Sequence, residues 1–416
     1  MKGRVVKVRD LSPAEVDAWQ ELGQNVIAPN PVLEPGCLIP AARFLPNGSE
    51  IYLAFAEEDG KFFGCFPLVR ARRGNDRMPL TLIEHLLLTG TTQVRRNRYD
   101  LTPLLRSERS DEAMGSLLQA VRDCRFPNAP KLLRFEALCA GGPVESSLRN
   151  AAQALHIPLY VAESWTRPVA NRRPEGDYLQ GSATRRKNVK ELLRKKKRLG
   201  ELLGGKVTLV DRSADSEAIE EIFRLERSGY KLATGIATES WCGEPEWFRA
   251  MCDEFRREGR LVVSTLEAGG TTAAILVMLR GGDRLLGLQR AYDEQLKQYS
   301  PGGQLDLLFF DHFHRMNGMQ ILDSCTGANN EKAVPLFVDS QPVITIVAAI
   351  GGRWDGLLLT AFGFLRDHLQ LRKRLLRLMG KYSWIDQLAR RIAARLELPA
   401  NLQKPGLFNP DSAVAV

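Results

Sequence analysis

The sequence predicts an α/β (α+β) protein of two similar halves, each with a mixed, mostly antiparallel sheet. Three observations support this fold class. The chain has 416 residues, whereas a single hydrophobic core stops growing at about 250–300 residues. Hydrophobic residues make up 44% and charged residues 26% of the chain, as in folded globular proteins. Finally, each half shows the same order of predicted elements: a helix, hairpin-connected strands, a helix and a strand.

The first half, residues 1–165, begins with a helix and continues as a hairpin. Ser12 followed by Pro13 is typical of a helix start, with serine as the cap and proline at the first helical position. Asp59 and Gly60 separate two apolar runs and favour a tight hairpin turn. The predicted elements are a helix from Ser12, strands at 51–57 and 62–70, a helix at 110–124 and a strand at 131–138.

The second half, residues 166–345, follows a stretch at 164–181 whose proline, glycine and arginine content indicates a linker. A basic helix is predicted at 184–203. The glycine pairs at 269–270 and 281–282 fit hairpin connections. The other predicted elements are a strand at 206–211, helices at 216–228 and 246–258, strands at 261–268, 271–280 and 284–292, a helix at 304–317 and a strand at 320–324.

The positive charge is concentrated in two segments. The formal net charge is +9, yet residues 185–206 alone carry ten basic and two acidic residues, and residues 353–397 carry ten basic and four acidic residues. The remainder of the chain is therefore acidic. A basic helix suits anionic partners such as CoA phosphates, RNA or anionic lipid, although a solvated face is the simplest alternative. We expect a basic amphipathic helical appendage at 346–398 and a disordered tail at 399–416.

A turn with two glycines opens the helix predicted at 304–317. The first N–H groups of a helix have no partner within it, and the helix dipole favours an anion there, so this turn predicts a phosphate site. The alternative is ordinary capping, with Ser300 as the cap and Pro301 at the first helical position. The residues predicted to bind the phosphate are Arg290, Lys297, Ser300, Gly302, Gly303 and Gln304.

The segments around this turn resemble a known family. They are Leu266 to Ala274, Tyr292-Asp293-Glu294, Tyr299-Ser300-Pro301-Gly302 and Ile321 to Gly327. Together they resemble the CelD/BcsL group of the GNAT acyltransferases, the acyl-CoA N-acyltransferase superfamily. That group is similar in turn to the FemABX peptidyltransferases, whose chains carry two tandem GNAT-like domains. The resemblance covers residues 160–345 well and residues 1–150 more loosely.

The resemblance implies two GNAT-like domains, at 1–165 and 166–345, with the chemistry in the second. It also implies acyl-CoA as a co-substrate and no permanently bound cofactor. The thioester would lie where the strand before Tyr292 separates from its neighbour, with the pyrophosphate at the helix start. Residues 298–303 do not contain the superfamily's usual glycine-rich loop, and FemABX enzymes use aminoacyl-tRNA. Both donors therefore stay open.

Four residues are candidates for the chemistry. Amide formation from a thioester needs a base for the amine and a proton for the leaving thiolate. Glu226 is the candidate base; alternatively, it is an exposed helical glutamate between two arginines. Tyr299 is the candidate proton donor; alternatively, it only packs against neighbouring residues. Asp323 ends a buried strand and is a site residue or a loop cap. His314 lies three residues after Asp311. It either pairs with Asp311 and acts as a base, or packs against other residues. We expect no metal site.

The predicted function is acyl transfer from a CoA thioester to an amine at the cytoplasmic membrane surface. The acceptor is a lipid such as a sphingoid base, an amino sugar or an amino-acid derivative. Seven scattered cysteines and a charged N-terminus indicate a cytoplasmic protein. Residues 357–396 mix basic residues with Trp and Phe, which favours peripheral binding to the inner membrane face; docking on the domains or a dimer contact is the alternative. The rival functions are aminoacyl transfer from charged tRNA and a non-catalytic role in polysaccharide or lipid export.

Overall fold

The computed structural model describes residues 1–46, 48, 51–70, 87–89, 102–124, 132–174, 183–235, 237–326 and 337–351, with six further residues between 356 and 364. The chain forms two compact units, Met1–Asp355 and Gly356–Val416. Most of the predicted membrane-binding segment, 357–396, and the whole tail, 399–416, lie outside the described residues. In the part of the chain that is described, no helix is long and apolar enough to cross a membrane.

The predicted elements of the first part occur in the predicted order, but the chain begins with a strand and not with a helix, and further helices and strands were not predicted. Ser12 and Glu15 form a reciprocal capping box at the first helix, and Asp59 and Gly60 turn the predicted hairpin with positive φ angles. The elements are β1 (Lys2–Lys7), α1 (Pro13–Gln24), α2 (Pro35–Phe44), β2 (Tyr52–Glu58), β3 (Lys61–Arg70), β4 (Leu87–Thr89), β5 (Leu104–Leu105), α3 (Ser110–Asp123), β6 (Leu132–Cys139), α4 (Pro143–Ala154) and β7 (Leu159–Asn171).

The second part also follows the predicted order, with one short helix, Tyr230–Ala233, that was not predicted. Several boundaries differ by one to three residues. The largest difference is at the helix predicted from Gln304, which starts at Pro301 because both glycines of the turn belong to its first turn. The elements are α5 (Ala183–Leu203), β8 (Thr208–Asp211), α6 (Ala218–Arg227), α7 (Tyr230–Ala233), α8 (Glu244–Arg257), β9 (Leu261–Ala268), β10 (Thr271–Gly281), β11 (Arg284–Tyr292), α9 (Pro301–Arg315), β12 (Ile321–Asp323) and β13 (Asp339–Ala349).

The strands of both halves join in one mixed sheet. Its order is β1-β2-β3-β4-β6-β13-β7-β12-β11-β10-β9-β8, and β5 pairs with β3. Among the described strand pairs, β4–β6 and β11–β12 are parallel and the others are antiparallel. The mixed, mostly antiparallel sheet of the predicted fold class is therefore confirmed.

The linker predicted at 164–181 is wrong in its first part. Strand β7 runs to Asn171 and buries Trp165, Arg167 and Val169. These residues alternate along the strand, as one face of a sheet requires, but Arg167 and the nearby proline obscure that pattern in the sequence. Strand β7 also runs through the predicted domain boundary at residue 165, so the backbone gives no sign of a division at this point. The division into 1–165 and 166–345 therefore stays a prediction.

Contacts between the helices also hold the two halves together. The main core cluster combines residues of α2, α3, α6 and α8 with strands of both halves. A second cluster lies in the second half and packs α5 and α9. The carboxylate of Glu34, in the first half, is buried and forms an ion pair with Arg260 of the second half. Trp247 Nε1 donates to the carbonyl of Cys37 at 3.1 Å. Residues 1–355 thus share one continuous framework.

Candidate active site

Strand β11 changes its pairing halfway along. Its first residues, 284–286, pair in parallel with β12, and beyond them the described residues give β11 only β10 as a partner. Leu288 is an extra residue in this strand, because Val277 faces Gln289 while Met278 faces Gly287. A bulge redirects the adjacent side chains and is common beside active sites. The separation of β11 from β12 therefore begins next to this bulge.

A buried carboxylate faces the bulge from α6. Glu226 is only 1% exposed. Its Oε1 accepts hydrogen bonds from Lys231 Nζ at 2.9 Å and from Gln289 Nε2, and its Oε2 accepts from the Thr238 N–H at 2.7 Å. Lys231 Nζ also donates to the Arg290 carbonyl at 2.7 Å. Because a buried charge needs such partners, the cluster holds a carboxylate and an ammonium group beside the part of β11 that lies beyond its pairing with β12.

The two arginines that flank Glu226 in sequence pair elsewhere. Arg224 donates to Glu221 and Arg227 donates to Glu239, all on the surface. The alternative of an exposed helical glutamate is therefore wrong for Glu226. Its role as the base stays a prediction.

The start of α9 is not capped in the ordinary way. Ser300 is the N-cap residue in the left-handed region, with φ of 55°, and its side chain makes no capping bond. Instead, Ser300 Oγ accepts a hydrogen bond of 2.8 Å from Lys195 Nζ of α5. Gln304 is 1% exposed; its Nε2 donates to the Tyr299 carbonyl, and its Oε1 has no partner among the described residues. The helix start therefore combines uncapped N–H groups, a lysine and a buried acceptor.

Neighbouring side chains pack closely against the two glycines of this helix start. A Cβ on Gly303 would lie 3.1 Å from Leu192 Cδ2 of α5, and one on Gly302 would touch the Tyr292 ring at 3.5 Å. Tyr299 is half-buried and packs against the second core cluster. Helix α5 thus lies directly against the turn that the sequence predicts to bind a phosphate.

The two basic residues predicted for this site are engaged with carboxylates. Arg290 forms an ion pair with Asp306 of α9. Lys297 Nζ lies 3.6 Å from Glu294, and the Lys297 side chain is 69% exposed. Lys195 is the cation that contacts the turn, and the sequence interpretation did not single it out. One sequence feature could have identified Lys195. It lies between Leu192 and Leu199, and a lysine within the apolar stripe of a helix such as α5 is unusual.

The other two predicted site residues lie apart from the helix start. His314 is buried near the end of α9, where its Nδ1 accepts from the Arg173 N–H at 3.2 Å. Ser300 and His314 are about 20 Å apart along the helix axis. Asp323 is buried beside Arg167, with Oδ2 to Nη1 at 3.4 Å, and its Oδ1 accepts from the Cys325 N–H at 2.8 Å. Because Asp323 pairs with Leu286, it lies roughly 20 Å along β11 from Tyr292.

Burial of His314 predicts a pH effect on stability. Desolvation and the nearby positive charge of Arg173 lower the pKa of His314. The unfolded chain therefore binds the proton more readily, and stability falls as the pH drops below about 6.5, the usual histidine value. We expect His314→Gln to flatten this decrease in urea unfolding between neutral and mildly acidic pH. An unchanged pH profile in the variant would contradict the assignment, and His156→Gln is the control.

Comparison with known proteins agrees with this architecture. Residues 185–333 match the family described as Acetyltransferase (GNAT) domain. The structure resembles FemX with a TM-score of 0.54 and 8% identity, covering 84% of this chain and 97% of FemX. It also resembles a protein of unknown function from Bacteroides thetaiotaomicron, with a TM-score of 0.52, 9% identity and coverage of 82% and 98%. No curated protein matches the sequence.

The domain match and the fold likeness concern two levels of this protein. Residues 185–333 match a GNAT acetyltransferase domain, and the fold of the chain resembles that of FemX. At these identities the likeness to solved structures concerns the fold alone. The domain match supports an acyltransferase.

Proposed function

We propose that the protein is a CelD/BcsL-like N-acyltransferase that moves an acyl group from a CoA thioester to an amine. The observation that carries this proposal is the contact of Lys195 with the start of α9. A cation at the positive end of a helix dipole is electrostatically unfavourable. An anion between the ammonium group and the uncapped N–H groups makes the arrangement favourable, and the pyrophosphate of CoA is such an anion.

The proposed reaction takes place beside the bulge in β11. The acceptor nitrogen attacks the thioester carbon, a C–N bond forms and the C–S bond breaks. Glu226 takes the proton from the amine, directly or through a water molecule, and Tyr299 supplies the proton to the departing thiolate. Lys231 donates to Glu226 and to the Arg290 carbonyl, and it thereby keeps β11 in place beside Glu226.

We expect Lys195→Met to weaken the binding of CoA by about 10- to 100-fold, the value of one charge-assisted hydrogen bond. Isothermal titration with CoA measures the change. Lys297→Met is the matched control, because Lys297 is exposed and paired with Glu294, and its affinity should stay near that of the unmodified protein. Equal losses in both variants would remove the structural argument for Lys195. A complete lack of affinity of the unmodified protein for acyl-CoA would favour a non-catalytic GNAT-fold protein.

Aminoacyl transfer from charged tRNA is the second candidate. The likeness to the fold of FemX and the basic face of α5 favour it, since Lys187, Lys190 and Arg198 are exposed there. Binding to RNA phosphates weakens steeply with salt. Titration with charged tRNA over a range of salt concentrations therefore separates the two donors: a steep dependence supports tRNA, and tight binding of acyl-CoA without tRNA binding supports the first proposal.

We further propose that the acceptor is a lipid amine, such as a sphingoid base, and that residues 357–396 bind the inner face of the cell membrane. The sequence pattern of this segment, with arginine and lysine alternating with Trp384 and apolar residues, supports the proposal. Co-sedimentation of the full chain with vesicles of anionic phospholipid tests it. Equal binding to neutral vesicles would contradict the electrostatic part of the argument.

A further inference from the structure

A cavity of about 280 Å³ lies between the two halves of the chain, at the start of β11. Its polar lining includes Asn30, Thr102, Arg284 and Gln341. Arg284 and Tyr292 are at opposite ends of β11, roughly 25 Å apart. Among the described residues that line the cavity, none belongs to the Glu226 cluster or to the turn that begins α9. The cavity is therefore separate from the candidate active site.

Close contacts between the two halves fix the walls of this cavity. The glycine turn before β11 packs against a proline segment of the first half, because a Cβ on Gly281 would lie only 2.8 Å from Pro31 Cδ. Within the first half, Asn30 Nδ2 donates to the Thr102 carbonyl at 3.1 Å. The cavity is thus held open by packed backbone and by a buried hydrogen bond, as in preformed ligand sites.

Arg284 provides a positive charge in the lining, and its side chain is 24% exposed. Its Nη1 and Nη2 lie 3.4 and 3.5 Å from Gln341 Oε1, and its Nη1 lies 3.6 Å from Asp323 Oδ2. These distances are at or beyond the upper limit of a hydrogen bond. Asp323 Oδ2 also lies 3.4 Å from Arg167 Nη1, so Arg284 shares that carboxylate. A guanidinium group whose contacts are this long favours a further, closer anionic partner.

The acidic residues nearby favour an anion with a single charge. Asp283 belongs to the lining and is exposed, and Asp323 lies beside Arg284. Both repel a second negative charge at Arg284. A carboxylate carries one charge, and its two oxygens match the planar fork of a guanidinium group. The charges therefore favour a carboxylate over a doubly charged phosphate.

The apolar part of the lining sets the size of the ligand. It includes Ile27, Val144, Ile321 and Val343. At about 30 Å³ for each water molecule, the cavity has the volume of about nine waters. One charged group among apolar side chains is typical of sites for small organic molecules. The cavity thus suits an acid of about eight non-hydrogen atoms, such as hexanoate.

We propose that this cavity is a second ligand site, which binds a small monocarboxylic acid. The carboxylate binds Arg284, and the hydrocarbon chain packs against the apolar wall. The site is distinct from the proposed acyl transfer and does not depend on it. Because the folded chain alone forms the cavity, a bound acid stabilises the folded state of residues 1–355.

Isothermal titration of the full chain with acetate, butyrate, hexanoate and octanoate tests the proposal, with hexanamide as the neutral counterpart. We expect hexanoate to bind most tightly of the series, and hexanamide about 10-fold more weakly or less. Arg284→Met should lower the affinity for hexanoate by about 10- to 100-fold, the value of one charge-assisted hydrogen bond. Arg257→Met, at an exposed arginine of α8, is the matched control and should bind hexanoate like the unmodified protein.

Cys139 reports where the acid binds. Its thiol is half-buried and lines the cavity, whereas Cys242 is exposed and is not part of the lining. We expect hexanoate to slow the alkylation of Cys139 by iodoacetamide, as measured by mass spectrometry of peptides. Alkylation of Cys242 in the same sample should keep its rate and serves as the internal control.

A second variant guards against misfolding of the first. Ala28→Phe fills the cavity from a half-buried position without changing a charge, and it should also weaken the binding of hexanoate. Thermal unfolding checks that both variants are folded. Equal affinity for hexanoate and hexanamide, binding that survives in Arg284→Met, or alkylation of Cys139 that the bound acid does not affect would overturn the proposal. Tighter binding of inorganic phosphate than of any acid would overturn the assignment of a carboxylate.

Discussion

Replacing Glu34 by alanine is expected to lower the free energy of unfolding by about 3–5 kcal/mol, the usual cost of removing one partner of a buried ion pair. Glu34 is 0% exposed, and its Oε1 accepts from Arg260 Nη2 at 2.8 Å while its Oε2 contacts Nη1. Without Glu34, the largely buried guanidinium of Arg260 loses its buried counter-charge. Because the pair joins the two halves, the loss affects the whole of residues 1–355. Urea unfolding measures it.

The matched control for this prediction is Glu258→Ala. Glu258 contacts the same arginine, with its Oε2 2.9 Å from Arg260 Nη1, but its side chain is partly exposed. Exposed pairs contribute about 0–1 kcal/mol, so this variant should change the free energy of unfolding by less than about 1 kcal/mol. If the two variants were equally destabilised, the burial of Glu34 would not be the cause. Glu34→Gln, which keeps the shape but not the charge, should fall between them.

The sequence predicted the elements of the second half well because their signals are local. The strands predicted at 261–268 and 284–292 agree with β9 and β11 to the residue, and α5 begins one residue before its predicted start. Glycine-containing turns bound these strands, and one apolar stripe defines the helix, so each pattern is complete within a few residues. The same holds for the capping box at Ser12.

The order of the strands in the sheet could not be predicted in this way. Strand β13 lies between β6 and β7, and its Val343 pairs with Cys139 on one side and Trp165 on the other. The basic helical appendage was predicted to begin at residue 346, but residues 346–349 belong to β13. Nothing within this apolar segment indicates partners some 200 residues away. Strand β7 was not predicted for another reason: one of its inward-facing residues is a buried arginine, which interrupts the apolar pattern. Long-range pairing and buried charge are both decided by tertiary structure.

In the candidate site, too, the features with a local sequence signal were predicted and those that depend on tertiary structure were not. The turn at Ser300 to Gln304 was predicted because a helix start with glycines has a local signature. Lys195 reaches that turn from a helix about 100 residues earlier, and groups that bond Glu226 come from helix α7, the segment after it and strand β11. The sequence therefore predicted an anion site at this turn, but not which cation lies beside the turn or that Glu226 is buried.

Replacing Glu226 by glutamine is expected to lower kcat/KM for acyl transfer by about 10²- to 10⁴-fold, the range for loss of a general base. Glutamine has nearly the same shape, but its amide nitrogen cannot accept a bond from Lys231 or Gln289. The rate of CoA thiol release from acyl-CoA, with a panel of primary amines, measures the effect. Glu221→Gln, on the solvent side of the same helix, is the matched control and should retain the rate.

The pH profile decides between a base and a positioning residue at this site. If Glu226 accepts the proton, the acidic limb of kcat/KM disappears in Glu226→Gln and persists in Lys231→Met, because the methionine variant keeps the carboxylate. If Glu226 only holds Lys231 against the Arg290 carbonyl, the two variants lose the same rate and keep the same limb. Glu226 lies beside the part of β11 beyond its pairing with β12, where the proposed reaction takes place. We therefore expect the first of the two outcomes.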